Sequence, residues 1–347
     1  MRKPLWRKSF MAHRPTPAIV VSSQVVFGAK TVPSEEVDAA FGMLVGKLRN
    51  RAGIVSLAHA SPGETEATLG ARAAEGALGG AGVAADGVDW VLATTETHHA
   101  FPSLAAQLHR SIDARESCGA MDIGGACLGF VHALAVAKAL VESEQADTVL
   151  VATADVHSRA LTPGRVAGEF GGLFGDGASA FVVQKEANAA PRTNFLLRDF
   201  FFGCASQYQQ AIQVSAEPID RLRVVFDGDA LSRAATARLE ECLRELERRS
   251  GVDRSGVAAF ATHQPNPRLV ALLAKRTGQP VEKFPLVADT RGNLGSTTCA
   301  AALHYALEQA QRGEADWLQP IFLASLGPGL LFGAGWLKPV RVDGCAS

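Results

Sequence analysis

The stretch DIGGACLGF occupies residues 122–130 and leads directly into VHALAVAKALVE, whose apolar spacing predicts a helix over 128–144. The preceding CGAMDI predicts a short strand, so the chain passes from strand through a glycine-rich turn to a helix start. Glycine allows the sharp bend, and a helix start directs unpaired N–H groups and the positive end of its dipole at the residue there. A thiol in that place is expected to lose its proton more easily. Cys127 is therefore a candidate nucleophile, and a buried packing cysteine is the alternative.

Strands and helices alternate on both sides of this turn. Strands are predicted in PAIVVSSQVVFG, VDWVLATTE, DTVLVATAD and GASAFVVQ. Helices are predicted in PSEEVDAAFGMLVGKLRNRAG, TEATLGARAAEGALGGAG and FPSLAAQLHRSI. The alternation predicts an α/β fold with a mainly parallel sheet that is covered on both faces.

The second part of the chain repeats the order of the first. AGVAADGVDWVLATTETHHAFPSL resembles SGVDRSGVAAFATHQPNPRLV, and FGDGASAFVVQ resembles GPGLLFGAGWLKP. The period of about 165 residues predicts two duplicated halves rather than a solenoid. We expect a flexible extension over 1–16, a first half over 17–187 and a second half over 188–347. Segment 190–225 fits neither half, and we expect an insertion that lines a pocket or, equally, a covered hydrophobic patch.

Composition argues against several classes of protein. The chain has 347 residues, a formal net charge of −1 and 47% apolar residues, as expected for a soluble globular enzyme and not for a general nucleic-acid binder. The six cysteines form no CxxC pair, which argues against a disulfide framework or zinc site and favours a reducing, cytoplasmic location. No apolar run is long enough for a transmembrane helix, and the basic start MRKPLWRKSFMAHRPTP lacks the apolar core of a signal peptide.

Several motifs, in order along the chain, resemble those of the β-ketoacyl-acyl-carrier-protein synthase III family, which are condensing enzymes with the thiolase fold. DIGGACLGF resembles its nucleophile motif, THQPNPRL its histidine motif and RGNLGSTTCAAAL its asparagine motif. HHAFPS, FGDGASA and GPGLLFGAGWL resemble structural signatures of the family. The resemblance implies two duplicated halves in α-β-α-β-α layers and a homodimer. It also implies acyl-coenzyme A and acyl carrier protein as partners, with no metal or prosthetic group.

The resemblance implies a catalytic triad of Cys127, His263 and Asn293. A cysteine nucleophile suits the formation of an acyl-enzyme from a thioester. The histidine N–H and the asparagine amide would stabilise the enolate that forms when a malonyl thioester loses carbon dioxide. Without the motifs around them, His263 could be a core histidine and Asn293 a turn residue.

The resemblance also implies residues that bind the substrates. The arginines would hold the coenzyme A nucleotide or dock the carrier protein, and the asparagine would contact the pantetheine arm. The phenylalanine would enter an acyl pocket across a dimer interface, and the glycines belong to the closing loop near the acyl oxygen. These residues are Arg51, Phe101, Arg165, Asn266, Arg268, Gly327 and Gly329.

Two positions depart from the family pattern. Lys47 stands where the family commonly has a tryptophan that stacks on adenine. Pro328 stands in the closing loop, where the family usually offers a backbone N–H to the acyl oxyanion, and proline has none. Plant-type polyketide synthases on the same fold also carry Gly-Pro-Gly there. The N–H of Cys127 and that of a neighbour would then serve instead.

The leading interpretation is decarboxylative condensation in fatty acid or polyketide biosynthesis. The first alternative is an acyltransferase of secondary metabolism that passes the acyl group to an alcohol or amine. A biosynthetic thiolase would need a second cysteine in the closing loop, which GAGWLKP lacks. A hydroxymethylglutaryl synthase would need a placed glutamate, for which Glu64 and Glu66 are available. A non-catalytic partner subunit is disfavoured because such subunits tend to lose the triad.

Overall fold

The computed structural model describes residues 16–188, 193–216, 222–312 and 319–341. The predicted extension therefore lies outside the described residues, except for its last position. The strands are β1 Ala18–Phe27, β2 Lys30–Pro33, β3 Ser56–His59, β4 Trp90–Thr94, β5 Gly119–Asp122, β6 Thr148–Val156, β7 Asp176–Lys185, β8 Thr193–Cys204, β9 Ile212–Ala216, β10 Leu222–Phe226, β11 Ala259–Thr262, β12 Ile321–Gly327 and β13 Leu331–Arg341. The helices are α1 Ser34–Ala40, α2 Glu66–Ala81, α3 Leu104–Ser111, α4 Gly129–Glu142, α5 His157–Ala160, α6 Gly168–Gly171, α7 Gly228–Ser250, α8 Pro267–Thr277, α9 Ala288–Arg291 and α10 Ser296–Gln311.

Nine of these strands form one sheet whose order shows the duplication. The first half contributes β5-β4-β6-β7-β1, and the second contributes β8-β13-β12-β11. Read outward from β1 and from β8, the two orders match strand for strand, and only the counterpart of β5 is missing among the described residues. The two halves join where β1 pairs with β8. The boundary at 187/188 stays a prediction.

The prediction of a mainly parallel sheet is wrong. Parallel pairing is confined to β4 with β5, β4 with β6, and β11 with β12. The remaining neighbours, from β6 through β7, β1, β8 and β13 to β12, run antiparallel. Strands buried on both faces form continuous apolar runs, and such a run does not reveal the direction of its neighbour.

The segment predicted as an insertion is mostly a central strand. β8 lies between β1 and β13 and is the second half's counterpart of β1. Its Phe195 is buried in the central core, and Phe200 packs against that core. The hairpin of β9 and β10 lies outside the repeated strand order and is the inserted element. Its Ile212 lines the cavity described below.

The helix predicted over 33–53 is also shorter than expected. α1 ends at Ala40, and Gly42 and Gly46 follow with φ of 67° and 85°. These left-handed positions interrupt the helix, because a continuous helix has no residue at positive φ. One π-helical turn at Leu48–Ala52 completes the segment.

The helices separate the sheet into layers. α2 and α3 cover the outer face of the first half, and α7 and α8 cover the outer face of the second. α4 and α10 pack side by side between the halves and contact strands of both. α10 is buried on nearly all sides, as an α-helix at the centre of a large core must be. Among the described residues, no helix combines the length and apolar character that a membrane span requires.

Candidate active site

A cavity of about 390 Å³ lies where the two halves meet, and all three predicted catalytic residues line it. Cys127 stands in the turn before α4, and Asn293 lies shortly before α10. His263 directly follows β11, at the carboxyl end of a strand, where α/β sheets place their ligands. The duplicated architecture therefore brings two helix starts and one strand end to the same cavity.

The nucleophile turn is tightly held by the closing loop. Gly125 and Ala126 adopt φ of 131° and 48°, which gives the sharp bend before the helix. Ser325 donates a hydrogen bond to the Cys127 carbonyl at 2.6 Å. A Cβ at Gly327 would lie 2.5 Å from the Gly125 carbonyl oxygen, so the two loops touch backbone to backbone. Glycine is needed at 327 because of this close approach.

The expectation that Cys127 loses its proton easily is wrong for the resting enzyme. Burial, followed by the charge and hydrogen bond of Glu96, raises the pKa of the Cys127 thiol well above its usual value. The sequence position at a helix start did not reveal that the fold brings a carboxylate to the same sulfur. The resting site therefore holds a thiol, and attack on a thioester requires a group that accepts its proton.

His263 is a neutral imidazole at physiological pH. Burial lowers its pKa to about 4, more than the nearby Glu96 charge can offset. Its Nδ1 is buried and has no hydrogen-bond partner among the described residues. A neutral imidazole offers one N–H donor and one acceptor, so His263 can serve the cavity as an uncharged donor.

Asn293 is oriented by its own surroundings. Its Oδ1 accepts hydrogen bonds from the Gly295 N–H at 3.0 Å and the Thr298 hydroxyl at 3.3 Å. Its backbone N–H donates to the Leu173 carbonyl at 2.8 Å. Because the carbonyl side of the amide is occupied, the NH₂ group is the part of Asn293 left for the cavity.

Four of the predicted substrate-binding residues line the cavity: Arg51, Asn266, Arg268 and Gly327. Asn266 also caps α8, because its Oδ1 accepts a hydrogen bond from the Leu269 N–H at 3.0 Å. Arg268 donates to the carbonyl of Asn50, which ties it to the segment that carries Arg51. Two arginines thus add positive charge to the cavity lining.

Three other predicted residues do not line this cavity. Arg165 donates to the Ala160 carbonyl at 2.8 Å. Gly329, at φ +80°, accepts a hydrogen bond from the Cys204 thiol through its carbonyl. Phe101 is 96% exposed, so within this chain it contacts no acyl pocket.

The two departures from the family pattern also have structural settings. Lys47 forms an ion pair with Glu169 at 2.5 Å. An ammonium group held in this way offers no flat surface for stacking on a base. Pro328 lines the cavity beside Gly327, at the point where it lacks an N–H.

Glu96 is a site residue that the sequence motifs did not indicate. Glu96 follows β4 at its carboxyl end, and its carboxylate lies close enough to the Cys127 thiol to raise the pKa of that thiol. The two glutamates considered from sequence lie elsewhere: Glu64 accepts the N–H groups of Ala29 and Ser61, and Glu66 accepts the Thr97 hydroxyl. The one signal available from sequence was the position of Glu96 two residues after the buried strand β4, which does not by itself reveal a contact with Cys127.

Asp155 and His157 complete a polar cluster beneath Glu96. The Asp155 carboxylate accepts hydrogen bonds from the Glu96 N–H at 2.5 Å and from the hydroxyls of Thr95 and Ser296. Polar atoms of Glu96, Asp155 and His157 lie within 4.8 Å of one another. The hydrogen bonds that the Asp155 carboxylate accepts hold it in this cluster. That the enzyme works without a metal stays a prediction.

Comparison with known proteins gives one consistent result. Family models described as 3-oxoacyl-[acyl-carrier-protein] synthase III and its C-terminal part match residues 121–198 and 247–338. The beta-ketoacyl-[acyl-carrier-protein] synthase III of Sodalis glossinidius is 32% identical over 297 residues, which cover 83% of this chain and 89% of the relative. The protein of the same name from Serratia proteamaculans is 31% identical over 295 residues, with the same coverage.

A solved structure extends the similarity to the whole fold. The 3-oxoacyl-[acyl-carrier-protein] synthase III of Aquifex aeolicus VF5 matches with a TM-score of 0.81 at 25% identity, covering 92% of this chain and 99% of that chain. The predicted layered α/β fold of two duplicated halves is confirmed. On the sequence identity, the coverage and the shared fold together, the chain belongs to the 3-oxoacyl-[acyl-carrier-protein] synthase III family of acyltransferases.

Proposed function

We propose that this enzyme transfers an acyl group from acyl-coenzyme A to Cys127 and condenses it with malonyl-acyl carrier protein. The product is a β-ketoacyl thioester of fatty acid or polyketide biosynthesis. The supporting observation is the shared cavity, which combines one thiol, one neutral imidazole and one amide NH₂ whose carbonyl side is already occupied.

The first half-reaction forms the acyl-enzyme. The Cys127 sulfur attacks the thioester carbonyl, and coenzyme A leaves as a thiol. Pro328 offers no N–H at the cavity wall, so we propose the Cys127 N–H as a donor to the acyl oxyanion. Ser325 supports this geometry because it anchors the Cys127 carbonyl from the opposite side.

The second half-reaction uses the other two residues. A malonyl thioester loses carbon dioxide, and the resulting enolate oxygen receives hydrogen bonds from the His263 N–H and the Asn293 NH₂. Both donors are neutral and largely buried, which strengthens their interaction with a developing charge. The enolate carbon then attacks the acyl carbonyl, and the Cys127 thiolate departs.

The cavity lining suits anionic partners. Arg51 and Arg268 provide positive charge for the phosphates of coenzyme A or of the phosphopantetheine arm. We also propose a homodimer, since a 96% exposed Phe101 is placed to enter a second subunit. No cofactor is needed for these steps. The five described cysteines are all free, which supports a location in the reducing cytoplasm.

Intact mass spectrometry tests this proposal. The purified enzyme is incubated with a panel of acyl-coenzyme A thioesters and malonyl-loaded carrier protein, with Cys127→Ala as the matched control. We expect the carrier to gain the acyl mass and lose the mass of carbon dioxide only when Cys127 is present. An enzyme that leaves both proteins unchanged with every donor would refute the proposal.

A second candidate is acyl transfer to an alcohol or amine without decarboxylation. The Glu96 carboxylate beside Cys127 favours it, because such an acceptor must lose a proton as it attacks. In the same experiment, this function would acylate Cys127 and leave the malonyl carrier unchanged. A panel of alcohols and amines would then identify the acceptor by loss of the acyl mass from the enzyme.

A further inference from the structure

Glu96 places a carboxylate at the reacting sulfur. Its backbone N–H donates a hydrogen bond to Asp155 at 2.5 Å, which fixes the backbone from which the side chain projects. Its side chain is 16% exposed, and its Oε1 is buried with no hydrogen-bond partner among the described residues. A Cβ at Gly295 would lie 2.7 Å from that Oε1, so the glycine makes room for the carboxylate. The fold therefore accommodates a charged group beside Cys127.

His157 shares a proton with this carboxylate. Its Nδ1 lies 3.2 Å from the Gly175 carbonyl, which can only accept, so Nδ1 carries a hydrogen. Its Nε2 faces Glu96 Oε2 at 3.6 Å. Two lone pairs would face each other there unless a proton lies between them. The geometry thus requires that the Glu96–His157 pair hold one proton in the resting enzyme.

Four titratable groups surround Glu96. The titratable groups that face it are the Cys127 thiol, His157, Asp155 and His263. Although burial opposes it, the contact with the Glu96 carboxylate and the charges of Asp155 and Glu96 raise the pKa of His157 to about 9. Although burial favours the neutral acid, His157 and the thiol hold the pKa of Glu96 below its usual value. His157 is therefore the cation that balances Glu96.

We propose that Glu96 is a catalytic residue that carries the proton of Cys127, and that His157 is the positioning residue that keeps Glu96 ionised. This inference rests on the proposed acyl-enzyme. During acylation, the S–C bond forms as the S–H bond breaks, and Glu96 receives the proton and passes it to the departing coenzyme A sulfur. During condensation, the S–C bond breaks, and the Cys127 thiolate takes up one proton from water through Glu96.

His263 is less suited to this task. Burial lowers its pKa to about 4 and keeps the imidazole uncharged, so it offers the thiol no anionic acceptor. Its N–H is also the donor proposed for the enolate, and a protonated His263 would change the charge of the cavity between half-reactions. A separate proton carrier leaves His263 neutral throughout both half-reactions.

Glu96→Gln distinguishes a carboxylate that carries the proton from one that only repels the thiolate. If Glu96 carries the proton, the variant should have a lower thiol pKa and yet a slower acylation rate. The carboxylate raises the pKa of the thiol, so Glu96→Gln should lower the apparent pKa of Cys127 alkylation by iodoacetamide. Single-turnover acylation by acyl-coenzyme A at pH 7 should nevertheless slow by ~10²-fold or more, as general bases contribute. Glu96→Asp should recover part of the rate.

Faster or unchanged acylation in Glu96→Gln would overturn the proposal, because a carboxylate that only repels the thiolate gives that result. Glu66→Gln is the matched control, since Glu66 is the nearby glutamate that hydrogen bonds to Thr97 and does not line the cavity. We expect its acylation rate to stay within about twofold of wild type, well inside the effect expected for a general base. If Glu66→Gln slows acylation as much as Glu96→Gln does, the assignment of Glu96 as the proton carrier is overturned.

His157→Gln tests the positioning role. Without the imidazolium, the pKa of Glu96 should rise, and the acidic limb of the acylation pH profile should move to higher pH. If the acidic limb of the acylation pH profile does not move, His157 does not have this positioning role. All of these acylation rates are measured without the malonyl carrier. If wild type is acylated but does not condense, the proposed function is contradicted, while the acylation rates of the variants still test the roles of Glu96 and His157.

Discussion

Replacement of Asn293 should separate the two half-reactions. Asn293→Ala removes the NH₂ group proposed as one of two enolate donors, while Cys127 and its turn remain. Loss of one such donor typically lowers the rate by ~10²–10³, or about 2.7–4 kcal/mol in activation free energy. We therefore expect condensation to slow by that factor and Cys127 acylation by acyl-coenzyme A to stay nearly constant.

The same substitution should also lower stability by an amount that the structure sets. The Asn293 Oδ1 accepts two buried hydrogen bonds, from the Gly295 N–H and the Thr298 hydroxyl. Each buried donor left without a partner costs about 1–3 kcal/mol. Asn293→Asp keeps the acceptor oxygen and removes the donor, so it should keep more of the stability and lose the condensation rate.

Two assays measure these effects. Single-turnover mass spectrometry follows acylation with acyl-coenzyme A alone and condensation after addition of the malonyl carrier, and urea unfolding gives the free energy of unfolding. The reasoning is refuted if Asn293→Ala condenses within about threefold of wild type, because donor loss predicts a far larger effect. It is also refuted if acylation falls in parallel with condensation, since Asn293 would then act through the nucleophile.

Three further predictions concern the loop, the imidazole and the cavity lining. Gly327→Ala places a Cβ against the Gly125 carbonyl and should slow acylation by ~10-fold or more, as measured by mass spectrometry. For His263, whose folded pKa is about 4 against 6.5 when unfolded, the unfolded chain binds more protons between these pH values. The free energy of unfolding should therefore fall by up to about 3 kcal/mol as pH drops through this window. Urea unfolding at several pH values should show this decrease in wild type and not in His263→Gln. Arg51→Gln should raise KM for acyl-coenzyme A by about tenfold with kcat unchanged, and by less at high salt.

The predicted triad could be located from sequence because the motif around each residue resembles one of a known family, and each motif stands at a recognisable helix start or strand end. Cys127 follows a glycine-rich turn before a helix, His263 ends a strand, and Asn293 lies before another helix. Helix starts and strand ends are visible in apolar spacing, so the sequence indicates where such residues stand along the chain. The structure then shows that all three line one cavity.

Glu96 and His157 could not be found in this way. They lie on separate loops, and their importance depends on a contact that only the folded sheet creates. Burial of Cys127, together with the neighbouring Glu96 carboxylate, also reversed the expected direction of the thiol's pKa. Charge environments depend on tertiary distances, which the order of residues does not contain.

The place of β8 shows the same limit for the fold. Its aromatic run predicts an insertion, although β8 joins the two halves through β1. An apolar segment is equally compatible with a pocket lining and a central strand. Its pairing with β1, far away along the chain, decides between them.

The repeated architecture also has a consequence for assembly. Cys127 and Asn293 precede α4 and α10, the two central helices, while Glu96 and His263 follow β4 and β11, which occupy matching places in the two halves. Each copy of the duplicated unit therefore supplies one residue from a helix start and one from a strand end. A folding intermediate with a single ordered copy would have secondary structure and no chemistry. Turnover is accordingly a reporter of docking between the two copies.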